Sequence, residues 1–140
     1  FEKLLREAEI DVNYSKKIRE SVWRKFFFIS VSASLTSYLN CTFNELVNTK
    51  ENKEMTIRFA KEFLSVAQAE GIDLGENPLE HIVNRSEVLP VGTTTSMHSD
   101  FKAGRSTELE TLTGVVIELA HKHKISVPLY QKVYDELKNR

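Results

Sequence analysis

A long stretch without charge constrains the fold of this 140-residue chain more than any other feature. After Lys25 the next charged residue is Glu45, so the nineteen residues 26–44 carry no formal charge. A run of this length is close to that of a membrane-spanning helix. Eight of its members, however, are polar: Ser30, Ser32, Ser34, Thr36, Ser37, Asn40, Thr42 and Asn44. The stretch therefore predicts a helix buried at the centre of a helical domain rather than a membrane span.

The periodicity of apolar residues predicts helices along most of the chain. In the first long helix, from about Ser15 to Asn40, one stripe consists of Ile18, Val22, Phe26, Ile29 and Ala33. A second long helix is predicted over residues 48–69, and its inner face consists of Met55, Phe59, Phe63 and Val66. Its charged residues are interpreted as a solvated face: Lys50, Glu51, Lys53, Glu54, Arg58, Lys61 and Glu62.

Proline and glycine mark where further helices begin and end. Gly71 ends the second long helix. Asn77 is a predicted N-cap with Pro78 at the first helical position, and this helix ends before Pro90. Pro128 begins the last helix, whose apolar face consists of Leu129, Val133 and Leu137.

The first fourteen residues differ from the rest. Residues 1–9 predict a helix already under way at Phe1, and Ile10–Tyr14 alternate as in a short strand. A lone strand needs a partner sheet, and no other convincing strand pattern follows. We therefore expect the chain to be a piece of a longer protein.

Composition excludes several classes of function. A formal net charge of −1 provides no long-range attraction to nucleic acid or to an acidic membrane. The single Cys41 excludes an intrachain disulfide and is interpreted as a small buried residue. No signal peptide is visible, so a cytoplasmic location is expected. The balance of 41% apolar and 28% charged residues is that of an ordinary globular protein, and the length predicts one domain. The helical patterns described above predict that this domain is all-α, with about six to eight helices.

The segment 93–128 contains two predicted helix starts separated by Gly104. One helix opens near Ser96. The other opens at Thr107, where residues 107–110 have the pattern of a capping box closed by Glu110. One face of this second helix consists of Leu112, Val115, Val116 and Leu119.

Lys25 is the first candidate for chemistry. It lies on the same side of its helix as Val22 and Ile29, at the edge of the uncharged run. Partial desolvation there would favour the neutral amine, which suits a proton donor near neutral pH. The alternative is a lysine whose stem lies along apolar surface while its amine reaches water.

Three further polar residues have two interpretations each. Ser96, at a helix start, suits contact with an anionic carboxylate or acts as a plain N-cap. Glu108 is an active-site group or only a favourable charge in a first helical turn. Asp100 supports Ser96 or caps a neighbouring helix.

No metal or nucleotide site is predicted within this chain. His81, His98, His121 and His123 lack metal-ligand spacing and are interpreted as solvent-exposed. The five glycines are too scattered for a G-x-G-x-x-G motif or a P-loop.

Several residues, in order, resemble the C-terminal domain of the ketopantoate reductase (2-dehydropantoate 2-reductase) family. They are Trp23-Arg24-Lys25, Thr95-Ser96-Met97, Asp100, Gly104-Arg105, Thr107-Glu108-Leu109, Gly114 and Pro128. The resemblance covers most of the chain. It implies an all-α domain of the 6-phosphogluconate dehydrogenase C-terminal-like type over residues 15–140, with the N-terminal Rossmann domain missing. Residues 1–14 would be the remnant of that nucleotide-binding domain and its linker.

The resemblance also implies an activity, namely NADPH-dependent reduction of a 2-keto acid (ketopantoate) to a 2-hydroxy acid (pantoate) in pantothenate biosynthesis. Lys25 would protonate the substrate carbonyl oxygen, Ser96 would contact the substrate, and Glu108 would complete the active site. NADPH would be bound mainly by the missing domain, so the fragment alone is expected to be inactive. The implied partners are the 2-keto acid, the upstream Rossmann domain and, in a homodimer, a second copy of the chain, with no nucleic acid and no membrane.

One departure from the family concerns the substrate. Many members carry asparagines four and eight residues after the lysine, where this chain has Ile29 and Ala33. Ser32 and Thr36 lie near the same helix face and are candidates to replace them. The substrate is therefore open. The rival interpretation is a non-catalytic helical interaction or dimerisation module, whose long apolar helix is buried against a partner.

Overall fold

A computed structural model describes residues 2–9 and 16–140. Seven α-helices lie in these ranges: α1 (Glu2–Glu7), α2 (Ile18–Leu39), α3 (Lys50–Ala69), α4 (Pro78–Val88), α5 (Ser96–Lys102), α6 (Val115–Lys122) and α7 (Pro128–Lys138). A 3-10 turn spans Asn44–Leu46, and a π-helical turn spans Glu110–Gly114. No strand occurs in these described ranges, so the all-α class is confirmed. The strand expected over Ile10–Tyr14 and the boundary at residue 14 fall outside them.

Helix α2 is the central element. It packs against α3, α5, α7 and the π-helical turn. Every residue from Ser30 to Ser37 is buried, as the uncharged run predicts. The first turns are different, because Ile18 is 62% and Val22 57% exposed. The apolar stripe predicted from the sequence is therefore inward-facing only in the later part of the helix.

Aromatic side chains pack α2 and α7 against α3. The ring of Phe63 lies edge-on to Trp23 and to Phe26, at centroid distances of 5.8 and 5.0 Å. Phe59 stacks on Tyr130 of α7 at 3.9 Å. The predicted inner face of α3 is confirmed for Phe59, Phe63 and Val66, while Met55 is partly buried.

The hydroxyl groups of α2 are used for packing rather than left in water. Ser34 shares a hydrogen bond of 2.7 Å with Thr113, and Thr36 shares one of 2.8 Å with Thr95. Ser30 Oγ donates to the Leu112 carbonyl at 2.5 Å. These contacts satisfy three of the five buried hydroxyl groups of α2. The other two, Ser32 Oγ and Ser37 Oγ, have no hydrogen-bond partner among the described residues.

The ends of two helices differ from expectation. Asn77 precedes α4 as predicted, but its φ of 51° is left-handed and its side chain makes no cap hydrogen bond. At α7, the first N–H groups are capped by Glu62 of α3, whose carboxylate accepts from Leu129 N at 3.0 Å and Tyr130 N at 2.9 Å. Glu62 was interpreted as part of a solvated face, and that interpretation is wrong.

Among the described residues, no helix has both the length and the hydropathy needed to cross a bilayer.

Candidate functional site

The structure places Lys25 on the surface. Its side chain is exposed, like that of Val22 one turn earlier. The apolar environment expected for this lysine is absent from the described residues, because the burial of α2 begins only at Phe27. A proton-donor role for Lys25 thus stays a prediction. It requires that another part of the protein shield the Lys25 amine from water.

One side of α2 leads from Lys25 into the interior. Lys25, Ser32 and Thr36 are separated by seven and four residues, so they lie within about 40° around the helix. Ile29 on the same side is partly buried, whereas Ala33 is only 1% exposed. Ser32 is fully buried and its Oγ has no hydrogen-bond partner among the described residues. Ile29 thus follows Lys25 by one turn on this side of α2, and its side chain keeps some accessible surface.

The start of α5 lies against this side of α2. Thr95, not Ser96, is the N-cap of α5, and its hydroxyl accepts from His98 N at 3.2 Å. The same hydroxyl is 2.8 Å from Thr36 Oγ1. Ser96 is therefore the first helical residue, exposed, one position from a direct contact with α2.

Asp100 does not support Ser96 in the way considered from the sequence. Its carboxylate accepts from Arg105 Nε at 2.8 Å and forms an ion pair of 2.7 Å with the same guanidinium. It therefore stabilises the turn that follows α5.

The predicted capping box at Thr107 is wrong. The helix begins at Leu109, and Thr107 makes no cap hydrogen bond. The Glu110 carboxylate instead accepts from Tyr134 at 2.8 Å and from Lys138 at 3.2 Å, which lowers the pKa of Glu110. Glu108 is exposed just before this helix start.

The π-helical turn after Glu108 has an identifiable cause. Ser30 Oγ donates a hydrogen bond to the Leu112 carbonyl, and Ser34 Oγ shares one with Oγ1 of the next residue, Thr113. Gly114 permits the close packing, because a Cβ there would lie 2.9 Å from Glu110 Oε2 and 3.3 Å from Tyr134. Turns of this kind often mark functional sites.

The structure thus brings the segments of two predicted site residues onto α2. The residue before Ser96 bonds to Thr36, and the turn after Glu108 bonds to Ser30 and Ser34. Lys25 lies eleven residues before Thr36, or about 16 Å along the helix axis. Convergence of Lys25, Ser96 and Glu108 on one cleft remains a prediction.

His98 is buried, which corrects the interpretation of this histidine as exposed. Its ring nitrogens lie 2.6 Å from Thr94 Oγ1 and 2.9 Å from Asn40 Oδ1. Burial is the main cause of its lowered pKa.

Within the described ranges, no group of three or more His, Cys, Asp or Glu side chains is arranged to hold a metal ion.

Comparison with known proteins adds a family relationship to this geometry. A family model described as "Ketopantoate reductase PanE/ApbA C terminal" matches residues 17–140. A 2-dehydropantoate 2-reductase from Streptococcus pyogenes serotype M3 is 30% identical over 135 residues, which cover 96% of this chain and 44% of that protein. The chain thus spans less than half the length of this curated relative.

Solved structures agree in fold. A dimeric ketopantoate reductase from Staphylococcus aureus superposes with a TM-score of 0.87 at 23% identity, covering 99% of this chain and 49% of that one. D-mandelate dehydrogenase, in a ternary structure with NADH and anilino(oxo)acetate, superposes with a TM-score of 0.84 at 23% identity, covering 98% and 76%. At these identities the likeness concerns the helical architecture.

Proposed function

Because this chain belongs to the ketopantoate reductase family, as its C-terminal helical domain, we propose that it forms the substrate-binding part of an NADPH-dependent 2-keto acid reductase. The observation that carries the proposal is the family match over residues 17–140. The substrate of the relatives' name, 2-dehydropantoate, is the proposed substrate, and pantoate is the product. The pathway would then be pantothenate biosynthesis, in the cytoplasm.

The reaction divides the work between two domains. Reduction of the ketone needs a hydride at the carbonyl carbon and a proton at the carbonyl oxygen, and together they give the hydroxyl group. A nicotinamide cofactor supplies the hydride. Lys25 supplies the proton from its ammonium group, which leaves a neutral amine that is reprotonated from solvent.

The nucleotide is assigned to a separate upstream domain. Four glycines of the described residues have left-handed φ: Gly71 and Gly75 in the α3–α4 loop, Gly92 in the α4–α5 loop and Gly104 after α5. Such isolated turns do not form the phosphate cradle of a dinucleotide site, which needs clustered glycines at one helix start. Among the described residues, these glycines therefore do not form the glycine-rich phosphate cradle of a dinucleotide site. Residues 1–14 would connect the two domains.

The exposed start of α2 supports a second domain at this place. Ile18 and Val22 present apolar surface in the turns before Lys25, on the same side of α2. A domain packed over them would remove water from Lys25, which is the desolvation that the isolated chain lacks. A homodimer is also proposed, in line with the dimeric relative from Staphylococcus aureus.

Ser96 and Glu108 are proposed to contact the substrate together with Lys25. Both are exposed, and both lie on segments that pack on α2. Ile29 would form an apolar wall of the substrate site. Ser32 and Ala33 are buried, so they would pack behind this wall rather than touch the substrate.

The proposal is tested by steady-state kinetics of the longer protein that contains this chain and a nucleotide-binding domain. Lys25→Ala should lower kcat by about 10²- to 10⁴-fold and change the Kd for NADPH little, because the lysine acts on the carbonyl oxygen. Lys61→Ala, an exposed lysine on α3, is the matched control and should keep the wild-type kcat. Unchanged turnover of Lys25→Ala would exclude the catalytic role. Complete absence of keto acid reduction in the unmodified protein would favour the non-catalytic interaction module.

A further inference from the structure

A second cleft lies at the far end of α2 from Lys25. Its volume is about 560 Å³, within the usual range of small-molecule sites. Its walls come from the ends of α2, α5 and α7 and from the segment that leads into Leu109. Ser37, in the wall, is twelve residues after Lys25, or about 18 Å along the helix axis. The cleft is therefore separate from the Lys25 amine.

The charged side chains of the lining are mostly cationic. Four cationic side chains are present: Lys102, Arg105, Lys138 and Arg140. Two are offset by acidic partners, since Lys138 pairs with Glu110 at 3.2 Å and Arg105 pairs with Asp100 at 2.7 Å. The other two keep their full charge.

Lys102 and Arg140 have no acidic partner among the described residues. Arg140 is nevertheless held in place, because its guanidinium donates to the carbonyls of Ser37 at 2.8 Å and Tyr38 at 2.9 Å. The side chains of the cleft thus have two uncompensated positive charges, on a chain whose formal net charge is −1. The burial of His98 lowers its pKa, and the charges of Lys102 and Arg140 lower it further.

Neutral donors supplement these charges. The hydroxyls of Ser106 and Thr107 line the cleft, and neither is hydrogen-bonded within the described part of the chain. The helix that begins at Leu109 continues to Lys122, and the first N–H groups of a helix lack intrahelical acceptors. Such a terminus favours an anion. Phe101 and Leu137 supply an apolar part of the wall.

We propose that this cleft binds a small molecule that carries a phosphate group. Lys102 and Arg140 match the two negative charges of a phosphate monoester, and Ser106 and Thr107 donate to its oxygens. The apolar wall receives the remainder of the ligand.

The test uses the purified chain and two probes that share one ring, phenyl phosphate and benzoate. Isothermal titration at pH 7.5 and constant ionic strength should show saturable binding of phenyl phosphate and weaker binding of benzoate. Lys102→Gln should weaken phenyl phosphate binding by about tenfold or more, because a hydrogen bond to a charged group is lost. Thr107→Ala should weaken it to a smaller extent.

Lys132→Gln is the matched control, since Lys132 is exposed on α7 and lies outside the cleft. It should bind phenyl phosphate as the unmodified chain does, and Lys25→Ala should do the same. Equal thermal unfolding midpoints of the variants show that they are folded. The proposal is overturned by a lack of saturable binding, by equal binding of benzoate, or by unchanged binding in both Lys102→Gln and Thr107→Ala.

Discussion

A single carboxylate, that of Glu62, fixes the start of α7. It accepts from two successive backbone N–H groups, at 3.0 and 2.9 Å, which have no acceptor within their own helix. Glu62→Gln removes the charge and one of the two acceptor oxygens. We expect a loss of about 1–2 kcal/mol in the free energy of unfolding, because a helix cap and its favourable charge are both weakened. Urea denaturation at pH 7 measures this loss.

Glu54→Gln on the same helix is the control for that measurement. Glu54 forms only an exposed pair with Lys50 at 3.9 Å, and such pairs contribute little. Equal losses of the free energy of unfolding in Glu62→Gln and Glu54→Gln would show that the Glu62 cap contributes no more than an exposed ion pair.

Sequence reasoning assigned Glu62 to the solvated face, and the reason for the error is physical. The N–H groups that it caps are 67 and 68 residues away in the chain. Helical periodicity shows which face a residue occupies but not which other helix end reaches that face. The burial expected around Lys25 rested on the same kind of signal, because periodicity places it on the side of Val22 and Ile29 whereas α2 is buried only from Phe27 onward.

At the scale of elements, the π-helical turn depends on a chain of hydrogen bonds. Burial raises the pKa of Tyr130 well above its usual value, so its hydroxyl stays protonated. Ser30 Oγ gives its only proton to the Leu112 carbonyl, so Tyr130 must donate to Ser30 across the 3.0 Å between them. This series of hydrogen bonds links three elements, namely α2, α7 and the π-helical turn.

Ser30→Ala should therefore cost about 1–3 kcal/mol of the free energy of unfolding, because it leaves two buried polar groups unpaired. Thermal and urea denaturation provide the measurement. Ser65→Ala is the matched change, since Ser65 is exposed on α3 and bonds only to the Lys61 carbonyl of its own helix. A Ser30→Ala variant as stable as Ser65→Ala would contradict this account of the turn.

Most helices could be predicted from the sequence, but this turn could not. The bounds of α2 and α3 agree with the expected ranges within a few residues, because apolar periodicity is a local signal. The π-helical turn arises because a serine 82 residues away takes a helix carbonyl. The lining of the second cleft was missed for the same reason, since Lys102 and Arg140 meet only in the folded chain.

At the scale of the whole molecule, Glu70 joins the ends of three helices. Its carboxylate is 2.6 Å from Lys122 Nζ and from His123 Nε2 at the end of α6, and 3.7 Å from Arg19 in α2. Hydrogen bonds from Lys122 and His123 lower the pKa of Glu70 below its ordinary value of 4.5. A lowered pKa in the folded state means that the charged carboxylate stabilises the fold above pH 4.5. That contribution is lost as the pH falls through the lowered pKa.

Glu70→Gln should thus lower the Tm at pH 7, and the difference from the unmodified chain should shrink as the pH falls below 4.5. Scanning calorimetry across this range tests the expectation. Glu87→Gln, which removes an exposed partner of Lys53 at 3.7 Å, should show a small difference throughout. A Glu70→Gln difference that grows toward acid would reverse the sign and refute the argument.

The two halves of α2 have different surroundings, and amide hydrogen exchange makes the consequence visible. The turns around Ile18 and Val22 have exposed apolar side chains, so their amides should exchange through local opening more readily than those of the core. The turns from Ser30 to Ser37 can exchange only when the core itself opens, since every side chain there is buried. One helix therefore contains both fast and slow amides. A domain that docks on the early turns would slow their exchange selectively and leave the protection of the later turns as it is.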